Sequence, residues 1–172
     1  NVAVNSGKTV AFFSLEMTDM ELTDRLIASE SGISADKLKG KVKMNPEEWV
    51  VLEQSIKRLV KAPLYIDETP GITLTEFTAK AKRLVREKGV KIIFVDYLQL
   101  MHSGKPQQGG FSKVQEVTEI SNTLKTTAKD LKVPIIALAQ LNRNLMSRAG
   151  SNGKPVLSDL KDSGSIEQDA DM

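Results

Sequence analysis

Val90-Lys91-Ile92-Ile93-Phe94-Val95-Asp96 decides the fold. Its apolar residues are contiguous rather than alternating, which predicts a strand buried on both faces, as in a parallel sheet. Working outward, Thr9 to Leu15, Leu64 to Asp67 and Pro134 to Ala139 carry runs of the same kind. Helical patterns fill the intervals. Thr18 to Ser31 opens with a capping box of Thr18 and Glu21, and Thr73 with Glu76 opens a second helix that stops at Gly89. Asn45-Pro46 starts another, with Trp49, Leu52, Ile56 and Leu59-Val60 at helical spacing. Phe111, Val114, Val117, Ile120, Leu124, Ala128 and Leu131 mark a long amphipathic helix. Strands alternating with helices predict a three-layer α/β domain with a mainly parallel sheet. From Leu141 to Met172 the sequence is polar and Gly/Ser-rich, without a clear period.

Composition narrows the class further. The chain has 172 residues, 40% apolar and 27% charged, the balance of an ordinary globular domain with a real core. It has no cysteine, so disulfides and thiolate metal sites are excluded and an intracellular location is the default. No apolar run is long enough to cross a bilayer, and no basic-then-apolar leader opens the sequence. The 24 basic residues nearly cancel 22 acidic ones, but their distribution is uneven. No Asp or Glu occurs between Asp96 and Glu116, nor from Leu141 to Ser158, which carries Arg143, Arg148 and Lys154.

Ser6-Gly7-Lys8-Thr9 resembles the tail of a phosphate-binding loop. That motif needs a first glycine five positions before Gly7, where Val2 stands, and it must run into a helix. Val10-Ala11-Phe12-Phe13 reads as strand instead, so the match is a decoy.

Ligands of parallel α/β sheets bind beyond the carboxyl ends of the strands. There the sequence offers Glu16 after the first strand, Asp96 closing the third and Gln140 after the fourth. An Asp ending a run of apolar residues has the form of a Walker B motif, whose carboxylate holds Mg²⁺. Glu16 would polarise an attacking water and Gln140 would contact a γ-phosphate. Each residue alone has a plainer reading, Asp96 as a turn cap and Glu16 as a partner of a helix dipole. Tyr97 reads as packing near a nucleotide or packing alone. Asp67-Glu68 reads as a turn before Pro70-Gly71 that could also approach the site. His102, the one histidine, reads as a surface residue, Trp49 as core and Phe111 as the start of a helix's apolar face.

Four stretches in order carry a family resemblance: Phe13-Ser14-Leu15-Glu16-Met17, Val95-Asp96-Tyr97-Leu98-Gln99-Leu100-Met101, Ala137-Leu138-Ala139-Gln140-Leu141-Asn142-Arg143, and Ser158-Asp159-Leu160-Lys161-Asp162-Ser163-Gly164-Ser165-Ile166-Glu167-Gln168-Asp169-Ala170-Asp171. Together they resemble the RecA-like (P-loop NTPase) motor domain of bacterial replicative DNA helicases of the DnaB family. The resemblance implies ATP and Mg²⁺ as cofactors, with Glu16 as the catalytic base, Asp96 as the Mg²⁺ ligand and Gln140 as the γ-phosphate sensor. It also implies two loops facing single-stranded DNA. One follows Met101 and includes Lys105; the other carries Arg143 and ends at Lys161, Asp162 and Gly164. Family members usually have Arg-Glu where this chain has Lys161-Asp162, and lysine lacks the planar fork of arginine. A homo-hexameric ring, primase and a helicase loader as partners, and a cytoplasmic, nucleoid-associated location are implied as well, with no membrane. Asn1-Val2-Ala3-Val4 resembles the tail of the helix that follows the phosphate loop. Residues 1–172 are therefore expected to be a partial motor domain truncated at both ends, inactive in isolation. A recombinase or clock-type ATPase of the same fold, or a DNA- or loader-binding fragment without turnover, are the alternatives.

Overall fold

The structure, a computed structural model, describes residues 1–104, 112–141 and 164–171. Four strands form one parallel sheet: β1 (Val10–Ser14), β2 (Leu64–Asp67), β3 (Ile92–Asp96) and β4 (Ile135–Ala137), in the order β2-β1-β3-β4. The expected parallel sheet is present, with each strand one to three residues shorter at its ends than its apolar run, β2 excepted. Helices α1 (Val2–Ser6), α2 (Asp19–Ser31), α3 (Ala35–Leu38), α4 (Pro46–Lys61), α5 (Leu74–Lys88), α6 (Lys113–Leu131) and α7 (Gly164–Asp169) fill the intervals. The α3 and α7 helices had no clear signature, being only 4 and 6 residues long.

Capping chemistry sets the helix starts. Thr18, Asn45, Thr73 and Ser112 each accept from the N–H three residues on, and Glu21, Glu48, Glu76 and Gln115 reach back to the cap N–H. The α1 helix ends at Gly7 in the left-handed conformation, φ 60°, and Lys8-Thr9 leads into β1. Ser6-Gly7-Lys8-Thr9 thus leaves a helix and enters a strand, in keeping with its reading as a decoy.

The core lies on one face of the sheet. Ala11, Phe13, Ile93 and Val95 are fully buried there against Phe77 and Ala81 of α5 and Val117 and Ile120 of α6. Phe13 meets the Phe77 ring edge-on at 4.8 Å between centroids, the geometry that brings a ring's positive edge to a negative face. On the other face the register pair Phe12 and Phe94 stacks at 6.1 Å and is half-buried.

Trp49 corrects the sequence reading. It is 56% exposed, and Val60 on the same helix is 80% exposed. The inward side of α4 is the row Leu52, Ser55, Leu59, of which Ser55 is the buried member. Apolar residues spread around more than one side of α4, so periodicity alone did not single out the packed one.

Candidate functional site

The sheet brings three of the candidate residues to one edge. Ser14 pairs with Asp96 across β1 and β3, and the ladder continues when Leu15 N–H donates to the Asp96 carbonyl at 2.9 Å. The buried Ser14 hydroxyl donates to the Met17 carbonyl at 2.7 Å, folding the chain around the exposed Glu16. On the other side of β3, Leu138 N–H donates to the Val95 carbonyl at 2.9 Å, and Leu98 N–H donates to the Leu138 carbonyl at 3.0 Å. Gln140, two residues further on, is exposed at the same edge. Glu16, Asp96 and Gln140 therefore leave adjacent strands in the same direction.

The half-buried Asp96 carboxylate makes no ion pair among the described residues. Tyr97 follows through a cis peptide and is half-buried. Among the described residues no three His, Cys, Asp or Glu side chains cluster closely enough to form a metal site. That arrangement still fits Mg²⁺, a hard cation that keeps most of its waters and takes one or two carboxylates. Asp96, uncommitted to any cation among the described residues, fits such a role.

Asp67 ends β2 at the same edge, opposite Phe13, and is committed elsewhere. Lys80 Nζ donates to both its oxygens, at 3.0 and 2.7 Å, and Thr69 N–H donates at 3.1 Å. Burial pulls its pKa upward, but Lys80 and Thr69 prevail and hold it below the usual carboxylate value. Glu68 accepts from Asp19 N–H at 2.6 Å, tying the exit of β2 to the first turn of α2. Asp67 and Glu68 thus stand at the same edge as the candidate residues, with their carboxylates held by partners in the chain.

Sequence reasoning missed Gln99 and Glu116. A short 3-10 turn, Leu98–Leu100, follows β3, and Gln99 at its centre is 9% exposed. Gln140 N–H donates to Gln99 Oε1 at 3.1 Å, while Gln99 Nε2 is buried with no partner among the described residues. A buried amide with one group unpaired typically costs about 1–3 kcal/mol, so packing alone does not favour it. Glu116 is buried on α6, where Lys113 Nζ donates to it at 2.9 Å and Ser103 N–H at 3.4 Å, with His102 Nδ1 also 3.4 Å away. Burial raises its pKa, yet Lys113, Ser103 and His102 together bring it below the ordinary value. His102 is exposed, as expected, but its backbone is anchored. Its N–H donates to the Ile72 carbonyl at 3.1 Å and its carbonyl accepts from Leu74 N–H at 3.0 Å. Gly71, at φ 60°, lies under its ring, where a Cβ would come 3.2 Å from His102 Cδ2.

Gly164 opens α7 and is exposed. The α7 helix docks on α6, where Ser121 Oγ donates to Asp169 at 2.6 Å and Lys125 pairs with Asp171. Lys105, Phe111, Arg143, Lys161 and Asp162 lie outside the described residues. No helix among the described residues is long and apolar enough to cross a membrane.

Comparison with known proteins follows the same lines. The DnaB-like helicase C terminal domain family matches residues 1–172. The replicative DNA helicase DnaB of Geobacillus stearothermophilus is 43% identical over all of this chain, and the replicative DNA helicase DnaC of Bacillus subtilis is 42% identical over all of it. The chain spans 37% of the length of each. A solved structure described as the ATPase domain of G40P superimposes with a TM-score of 0.86 at 33% identity, covering 98% of this chain and 58% of that one. A DnaB-like replicative helicase, studied with its interactions with primase, gives the same TM-score and identity over 98% of this chain and 40% of that one.

Proposed function

This chain belongs to the DnaB-like helicase C-terminal domain family, with a RecA-like α/β fold, and from that premise we propose that it is the motor of an ATP-dependent replicative DNA helicase. The protein couples ATP hydrolysis to translocation on single-stranded DNA and separates duplex strands at the replication fork. The observation that carries this reading is the register that sends Glu16, Asp96 and Gln140 from adjacent parallel strands toward one edge.

Asp96 would hold the Mg²⁺ of the nucleotide, and the cation would supply charge neutralisation for the phosphates. Glu16, exposed and placed by the Ser14–Met17 hydrogen bond, accepts a proton from the attacking water. Gln140 donates to the γ-phosphate and changes position when that group leaves. Tyr97 packs against the nucleotide. Lys105 and Arg143, in the two acid-free stretches, and Lys161 beyond them neutralise DNA phosphates largely without regard to sequence, while Asp162 and Gly164 belong to the loop that carries Lys161. A homo-hexameric ring, with primase and a loader as partners, works on DNA in the cytoplasm.

The test is unwinding of a forked duplex by a protein carrying this chain at the full length of its relatives. ATP-dependent strand separation, lost in Asp96→Ala with the circular dichroism spectrum unchanged, is expected. DNA-stimulated hydrolysis without separation would point to a recombinase-like motor, and neither activity would leave a binding module.

A further inference from the structure

We infer that Gln99 is a positioning residue that ties Gln140 to both roots of the segment between Gly104 and Ser112, through a hydrogen-bonded chain ending on Glu116. The inference rests on the proposed role of Gln140 as the γ-phosphate sensor and goes beyond it by naming the link between nucleotide and DNA.

The chain can be followed atom by atom. Gln140 N–H donates to Gln99 Oε1 at 3.1 Å, and the Gln99 carbonyl accepts from Lys113 Nζ at 3.3 Å. Lys113 Nζ also donates to Glu116 Oε2 at 2.9 Å, and the other Glu116 oxygen accepts from Ser103 N–H at 3.4 Å. Ser103 stands at the entry of the acid-free segment and Lys113 at its exit, where Ser112 caps α6. Glu116 therefore holds both roots from the buried side. The α5 start provides the fixed support, since Ile72 and Leu74 pair with His102 on both sides of its α-carbon.

Three features assign this chain to coupling rather than to packing. Gln99 is nine-tenths buried but commits its side-chain oxygen to the backbone N–H of Gln140, leaving Nε2 without a partner among the described residues. Leu98, its neighbour, is bonded to Leu138, so residues 98 and 99 together fix the exit of β4. Movement of Gln140 is thus transmitted to the 3-10 turn and on to Lys113. Finally, Glu116 is an almost fully buried carboxylate whose partners among the described residues, His102, Ser103 and Lys113, belong to those two roots. Coupling between distant ligands typically changes affinity about 5- to 150-fold, a range that a few such hydrogen bonds can carry.

The experiment reads the ratio of oligo-dT dissociation constants in ADP and in a slowly hydrolysed ATP analogue, by fluorescence anisotropy on the full-length protein. Gln99→Met keeps the volume and removes the acceptor. It is expected to lower the ratio about fivefold or more, with the melting temperature nearly unchanged and oligo-dT still bound in one nucleotide state. Gln140→Ala is expected to lower it equally. If Gln140→Ala loses the ratio while Gln99→Met keeps it, the link is wrong and the sensor reading stands. If Gln140→Ala keeps the ratio, or the unaltered protein shows none, the sensor reading falls and the link with it. Should Gln99→Met fail to fold, Lys113→Met on the half-exposed partner breaks the same chain, and a retained ratio there overturns the proposal.

Discussion

Two aspartates end neighbouring strands on the two sides of β1, and they have opposite fates. Asp67 gives both oxygens to Lys80 and one to Thr69 N–H, whereas Asp96 has no cationic partner among the described residues. The same residue type at the same edge is in one case a rivet and in the other a carboxylate without a cationic partner among the described residues. A carboxylate held by its own chain stabilises the fold; one left unpaired beside solvent is available to a metal ion.

Substitution should separate the two most clearly in catalysis. On the proposed metal role, Asp96→Ala is expected to reduce nucleotide hydrolysis of the full-length protein by about 10³-fold or more, because a lost metal ligand would remove several kcal/mol of charge stabilisation. Its melting temperature should stay within about 2 °C of the parent, since no ion pair is broken. Asp67→Ala should do the reverse, keeping turnover while melting early. A comparable loss of hydrolysis in both would end the distinction.

Glu16→Gln comes next. Removal of the proposed general base should slow hydrolysis by about 10²-fold or more while leaving ATP binding in place, as single-turnover assays and nucleotide titration would report. Unchanged turnover would show that Glu16 is only a partner of the α2 dipole.

Lys80→Met should destabilise the domain by about 1 kcal/mol, or about 2–4 °C in melting temperature, because the pair is only partly shielded from water. Its pH dependence sharpens the comparison. Asp67 titrates below its unfolded value, so its contribution is complete above the ordinary carboxylate pKa of about 4. That contribution disappears as pH falls through the lower folded value. Melting curves from pH 7 to pH 3 should therefore drop less steeply on the acid side in Lys80→Met than in the parent. An equally steep drop would place the acid sensitivity elsewhere, with Glu116 the first candidate since its pKa is lowered too.

The smallest effect belongs to Trp49. At 56% exposure, Trp49→Gln should change stability by about 0.5 kcal/mol or less, read by chemical denaturation. A loss of several kcal/mol would restore it to the core.

The sequence was most informative where one residue type has one local use. Thr18 with Glu21 and Thr73 with Glu76 became capping boxes, and Gly7 became a left-handed helix end. Val90 to Asp96, read as a buried strand, gave both the parallel sheet and the placement of Asp96, and register with Ser14 then brought in Glu16. Trp49 was misread because the α4 apolar arc is wide and the small Ser55, not a large residue, marks its packed side. Gln99 and Glu116 were illegible for another reason. The side-chain partner of Gln99 lies 41 residues away, and Glu116, besides the nearby Lys113, reaches 13 and 14 residues back to Ser103 and His102, contacts that leave no periodic trace.

Gly71 and His102 add a constraint of a different kind. A side chain at position 71 would have to adopt φ 60° and would come 3.2 Å from the imidazole, so the ring must yield before the glycine can change. In sequence drift the two positions are then epistatic. Trimming the histidine relieves the crowding but not the backbone strain, so position 102 can vary over a glycine, while position 71 cannot vary freely over any residue at 102. Lineages can lose the histidine first; the glycine is the part of this loop root that mutation reaches last.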